Sequence, residues 1–178
     1  MSAIDDLITR IQSQDDALRT AAWEEAGQMG APAVPSLAAL MASPEPETGR
    51  AAKRALSHIV RHAGRPGAAG EARAVAAELA ALLPGGAPAV RREALWLLSE
   101  IGGEGVVASM AALLADPELR EDARCALMRL PGAGVTSAFK SAFDRAPAGF
   151  KPALADSLRK RGVPVDGFPS QKRVPKGR

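Results

Sequence analysis

The stretch that decides the fold is Val90–Ala115, VRREALWLLSEIGGEGVVASMAALLA. Two apolar helical patterns lie in it, joined by Gly102-Gly103-Glu104-Gly105. In the first, Val90, Ala94, Leu98 and Ile101 share one face; in the second, Val107, Met110, Leu113 and Leu114 do. Spacings of three and four residues place such side chains on one side of an α-helix. Glycines between two patterns of this kind mark a turn. The stretch therefore predicts a helix–turn–helix hairpin.

The same unit recurs on both sides. Upstream, Leu18, Ala22, Ala26 and Met29 form a first helical face, Gly30 and Pro32 a break, and Val34, Leu37, Leu40 and Met41 a second face. Next come Ala52, Leu56 and Ile59 of a helix starting near Thr48, then Leu79, Leu82 and Leu83 of a helix from about Glu71. Downstream, Leu119, Ala123, Leu127 and Leu130 precede Pro131-Gly132-Ala133-Gly134, followed by Phe139, Ala142 and Phe143. Ile4, Leu7, Ile8 and Ile11 predict a capping helix over 1–13, with Ser2 and Asp5 spaced as a capping box. Phe150, Leu154 and Leu158 predict a last helix that resembles the first half of a further unit.

The register follows from position. The small residues of the first helices are Ala22, Ala52, Ala94 and Ala123; the anchors of the second helices are Leu37, Leu79, Met110 and Phe139. Most steps are close to 30 residues, and the excess of about 12 falls inside the second unit, around His62–Gly70. Two helices per period of about 30 predict an all-α architecture: an α-solenoid of about 4.5 hairpins over 1–163. Residues 62–70 are an insertion within the second repeat, and 164–178 are a basic tail.

Composition bounds the function. The net charge of +3 resides in the tail, through Lys172, Arg173, Lys176 and Arg178 against Asp166, and the charges of 1–163 cancel. A nucleic-acid-binding body is not supported; only the tail offers such a contact. The single Cys125 excludes an internal disulfide framework and suits a reducing, cytoplasmic setting. No secretory leader is visible at the N-terminus, and no run approaches the ~18 apolar residues of a membrane span.

The chain resembles HEAT repeats, above all the short bacterial type named after phycobilisome lyase subunits. The resemblance rests on Asp16-x-x-Arg19-x-x-Ala22 with GQMGAPAVPSLAALM, on VRREALWLLSEIGGEGVVASMAALLAD and on LREDARCALMRL, and covers about 15–161. The second repeat departs from it, lacking the Asp/Arg start and carrying the insertion. The resemblance implies an armadillo-type superhelix, with first helices on the convex surface and second helices on the concave, partner-binding surface. It implies packing more than chemistry.

The expected concave positions lie two before and two after each anchor: Pro35 and Ala39, Ala77 and Ala81, Ala108 and Ala112, Ser137 and Ser141. Ser109 and Lys140 flank the anchors Met110 and Phe139. This strip is small and uncharged except for Lys140, and reads either as a cradle for another protein's segment or as self-covered packing. Trp96 stands where the other first helices have Glu24, Arg54 and Cys125. It is an exposed interface anchor, or it is covered by the insertion; Trp23 reads as packing between repeats. The candidate partner-binding residues are therefore Trp96, Ala39, Ala81, Ser109, Ala112, Ser137, Lys140 and Ser141.

Catalysis finds little support. His58 and His62 have metal-compatible spacing, but zinc needs further ligands that the sequence does not supply. The dimetal hydroxylases built on HEAT-like repeats are excluded by histidine count. Gly64-Arg65-Pro66-Gly67-Ala68-Ala69-Gly70 could hold an anion beside Arg65 and Arg73, but lacks a Gly-Lys-Ser/Thr ending and reads as a mobile insertion. Cys125 reads as a small, half-buried side chain. No catalytic residue, cofactor or metal is expected. The expected function is a non-enzymatic adaptor binding another protein. A nucleic-acid-binding HEAT-like protein and an accessory subunit of a lyase-type enzyme are the alternatives.

Overall fold

The computed structural model describes residues 2–169, and these form an α-solenoid with no strand among them. The basic residues Lys172, Arg173, Lys176 and Arg178 lie outside the described residues. The helices are α1 (Ala3–Ile11), α2 (Asp16–Glu25), α3 (Val34–Leu40), α4 (Pro46–Ala63) and α5 (Ala69–Ala81). There follow α6 (Pro88–Ile101), α7 (Val107–Ala112), α8 (Arg120–Arg129), α9 (Ala133–Arg145) and α10 (Lys151–Lys160).

Local chemistry starts these helices where the sequence predicts. The Ser2 hydroxyl accepts from the Asp5 N–H at 3.1 Å, and the Asp5 carboxylate accepts from the Ser2 N–H at 2.8 Å. Two otherwise orphaned donors are thereby satisfied. Asp15 caps α2 by accepting from the Ala17 N–H at 2.8 Å. Proline opens α3, α4, α6 and α10 in the first turn, where its missing N–H costs nothing.

The helices stack in two rows. First helices α2, α4, α6, α8 and α10 follow one another along one row, and α3 packs on α5 and α7 on α9 in the other. The helix α1 covers α2 at the N-terminal end. The alanines Ala22, Ala52, Ala94 and Ala123 and the anchors Leu37, Leu79, Met110 and Phe139 are all fully buried. Ala94→Leu is accordingly expected to overpack the α6 contacts, costing about 1–3 kcal/mol. Thermal unfolding of the variant checks this, and an unchanged midpoint contradicts the register.

Leu18 departs from the expected core face: it is 47% exposed. It sits in the first turn of α2, and burial along that helix begins only at Arg19, whose guanidinium turns back to the Ser13 carbonyl at 2.7 Å. Residues 62–70 do not form one loop. Helix α4 continues through Ala63, the chain turns at 64–68, and Ala69 and Gly70 begin α5. Much of the extra length lies in helix: α4 has 18 residues and α5 has 13, against 10 in α2 and 7 in α3. Alanine-rich flanks favour helix over loop.

At the C-terminal end, α10 packs on α8 and α9, in the position of a first helix. Arg161 ties it to the α8–α9 turn, donating to the carbonyls of Leu130 at 3.1 Å and Gly132 at 2.6 Å and to the Thr136 hydroxyl at 2.9 Å. The chain then folds back. The Val165 carbonyl accepts from Arg159, and the Phe168 ring meets Phe143 edge-on at 5.2 Å.

Candidate functional site

Each row of helices presents surface hollows. On the second row, α5 packs against α3 on one side and against the 104–106 turn on the other, while α7 packs on α9. A groove of about 720 Å³ opens between α5 and that turn. Its α5 wall is made of alanines, including Ala72, Ala76, Ala77 and Ala81. The opposite wall is Ile101, Val106, Ser109 and the backbone of Gly103 and Gly105. The groove has depth because most residues of both walls are small. Among the described residues, Arg73 and Glu104 are its only ionisable lining residues.

The expected strip residues Ala39, Ala81, Ser109, Ala112, Ser137, Lys140 and Ser141 are all exposed, and those that line a hollow do not all line the same one. Ala81 and Ser109 meet in the α5 groove. Ala112 lines a separate cleft of about 420 Å³ between α7 and α9, with Ala142 and Pro147. Ser141 lies under Arg145, which donates to its hydroxyl at 2.9 Å and to its carbonyl at 3.2 Å. This end of the strip is therefore charged. Ala39, Ser137 and Lys140 line neither hollow.

Trp96 lies on the other row. It is 53% exposed, with the Arg129 guanidinium of α8 over its ring at 5.3 Å. The hollow beside it, about 470 Å³, is lined from α4, α6 and α8 and includes Lys53, Glu93, Asp122 and Cys125. No residue of 62–70 reaches it, so the insertion is not the cover of this tryptophan. A segment seated in the α5 groove shares no lining residue with the Trp96 hollow. Trp96 therefore lies on a separate surface from that groove. Cys125 is exposed rather than half-buried.

The remaining motifs are absorbed locally. Arg65 is held by Glu71 through two hydrogen bonds, at 2.7 and 2.9 Å, and donates to the His62 carbonyl at 2.7 Å. Its guanidinium thus already has an anion from its own hairpin. The same pair of bonds holds the Glu71 carboxyl below its ordinary range. The His58 ring packs edge-on against Trp23 at 5.2 Å. Among the described residues no group of three His, Cys, Asp or Glu side chains could hold a metal ion. No helix among them is long and apolar enough to cross a membrane.

A further hollow was not anticipated from sequence. About 360 Å³ in size, it lies between Trp23 and one face of α4 that carries Arg50, Lys53, Arg54, His58 and Arg61. Its signal was present in the spacing of those residues. Charge cancellation over the whole body concealed it, because an average erases a local stripe.

No protein-family model matches the chain, and no curated protein matches it. Three solved structures that resemble it are engineered or designed proteins. One engineered protein is 20% identical, with 90% of this chain aligned to 76% of that one and a TM-score of 0.43. A second is 16% identical over 89% of this chain and 80% of its own, with a TM-score of 0.46. A designed armadillo repeat protein, solved in complex with the peptide (KR)4, is 16% identical over 91% and 89%, with a TM-score of 0.44. These likenesses concern the fold alone.

Proposed function

We propose that this chain is a non-enzymatic adaptor of the HEAT-repeat type, which binds a segment of another protein in the α5 groove and works in the cytoplasm. The observation that carries this reading is the groove itself, with its alanine wall on α5 facing a glycine turn. Alanine and glycine have no side-chain freedom to lose when a partner is buried against them. Their small size leaves space that the partner's own large apolar side chains fill. Each such side chain, fully buried, contributes roughly 1.5–3 kcal/mol. The occupant is thus a protein segment with bulky apolar residues on one face. A phosphate backbone does not suit a groove with one arginine and one glutamate.

Ala81 is exposed at the end of α5, so a long cation there projects into the groove without disturbing the core. Ala81→Arg is expected to weaken partner capture at least about tenfold, the cost of one unfavourable contact of ~1.4 kcal/mol. The thermal midpoint should be unchanged. Partners are captured on immobilised full-length chain, identified, and their affinities measured by titration. A partner bound equally by the variant places recognition elsewhere and overturns the groove as the binding site.

A further inference from the structure

The first-helix row carries a surface that the adaptor reading does not use. Arg50, Lys53, Arg54, Ser57, His58 and Arg61 succeed one another along α4 at intervals of three, one, three, one and three residues. At 100° and 1.5 Å per residue they form one stripe about 16 Å long. Glu47 answers Arg50, and Glu93 reaches Lys53 at 2.6 Å. Arg54 lies over the Trp23 ring at 5.3 Å. Among the described residues neither Arg54 nor Arg61 has a carboxylate partner, and no carboxylate lines the hollow between the stripe and Trp23. Lys53 also lines the hollow of Trp96, so the cationic stripe and the exposed tryptophan are continuous.

We infer that the α4 stripe and the Trp96 hollow form a second docking surface, for an acidic segment of a partner protein. Its carboxylates pair with Arg54 and Arg61, and an aromatic or large apolar side chain lies beside Trp96. Guanidinium forks match carboxylates in geometry, and an exposed tryptophan supplies apolar area at little conformational cost. The surroundings favour a short acidic peptide over nucleic acid. Three guanidiniums without a carboxylate partner among the described residues, Arg54, Arg61 and Arg129, are few for a phosphate backbone. The Trp23 ring is already in contact with Arg54 and His58. Glu93 and Asp122 beside Trp96 would repel a continuous row of phosphates, whereas a peptide can place an uncharged residue there.

The chain's two tryptophans, Trp23 and Trp96, both lie on this surface. Tryptophan emission therefore reports occupancy here and not in the α5 groove, so the two sites fail independently. The probe comes from a displayed library of random 12-residue peptides selected on the full chain. The enriched peptides are synthesised without tryptophan and titrated against it. The expected peptides are rich in Asp and Glu with one aromatic residue. They shift the emission, and they weaken about tenfold or more with Arg54→Glu/Arg61→Glu. Arg61→Glu alone, which disturbs no aromatic contact, weakens them severalfold; Arg61→Lys largely preserves binding, and Ala81→Arg leaves it unchanged. Selection that returns no acidic peptides overturns the inference. So does indifference to the charge reversals, or loss of binding with Ala81→Arg. Tighter binding of a 20-residue oligothymidylate, or of phosphatidylserine vesicles, replaces the peptide with that ligand and equally overturns it.

Discussion

Phe139→Ala is expected to lower stability by about 3–5 kcal/mol, the range for removing a fully buried aromatic side chain. Phe139 is the anchor of α9 and is fully buried. Its helix joins α7 on one side to α10 on the other. Truncation leaves a cavity that helices already fixed by neighbouring repeats cannot collapse to fill. For a chain of this length the loss corresponds to about 6–20 °C in the thermal midpoint. A solenoid is held together by contacts between adjacent units. Amide exchange should therefore accelerate first in α9 and α10, while α4 and α5 keep most of their protection. Uniform loss of protection across all helices would show that the array unfolds as one block.

Gly102→Ala is expected to be the most damaging of the glycine substitutions between α6 and α7. The Gly102 N–H closes α6 on the Leu98 carbonyl at 2.7 Å. A Cβ at this position would stand 2.5 Å from that same carbonyl oxygen and 3.0 Å from a Val106 methyl. The first obstacle is helix backbone, which cannot swing aside as a flexible side chain would. The last turn of α6 must open, or the 104–106 turn must shift. The expected cost is about 3 kcal/mol, the upper part of the usual range for overpacking. Gly103 is the internal control, since a Cβ there meets nothing within 4 Å. Gly103→Ala should stay within about 0.5 kcal/mol of the parent. Denaturant titration of the pair measures the difference, and equal midpoints would contradict the close approach at Gly102. Because the same turn is one wall of the α5 groove, Gly102→Ala should also weaken a partner bound there.

The consequences for the proposed adaptor follow from the two rows. The α5 groove is apolar and uses the small side chains of second helices. The α4 stripe is cationic and uses the long side chains of first helices. Distinct chemistries on the two rows would let the proposed adaptor hold two different segments.

Much of this was legible in the sequence because it depends on local spacing. The periodic apolar residues of Val90–Ala115 and its counterparts specified helical hairpins, and the step near 30 residues specified their stacking. Buried anchors such as Leu37 and Met110 follow from that period alone. What only the tertiary structure decided depends on how neighbouring repeats meet. Leu18 matches the apolar pattern, yet the packing around α2 leaves it in solvent. Ala81 and Ser109 belong to helices of different repeats, and only the packing of the α6–α7 turn against α5 brings them to one groove. Ala39 and Ser137 have the same pattern and line neither second-row hollow. The extra 12 or so residues of the second repeat could be counted in sequence; that they lengthen α4 and α5 could not. Trp96 could be marked as an outlier, but the side chain beside it, Arg129, is supplied by the next repeat. Helical period is a property of consecutive residues, whereas grooves are properties of the spacing between repeats, which side-chain volumes on both sides set together.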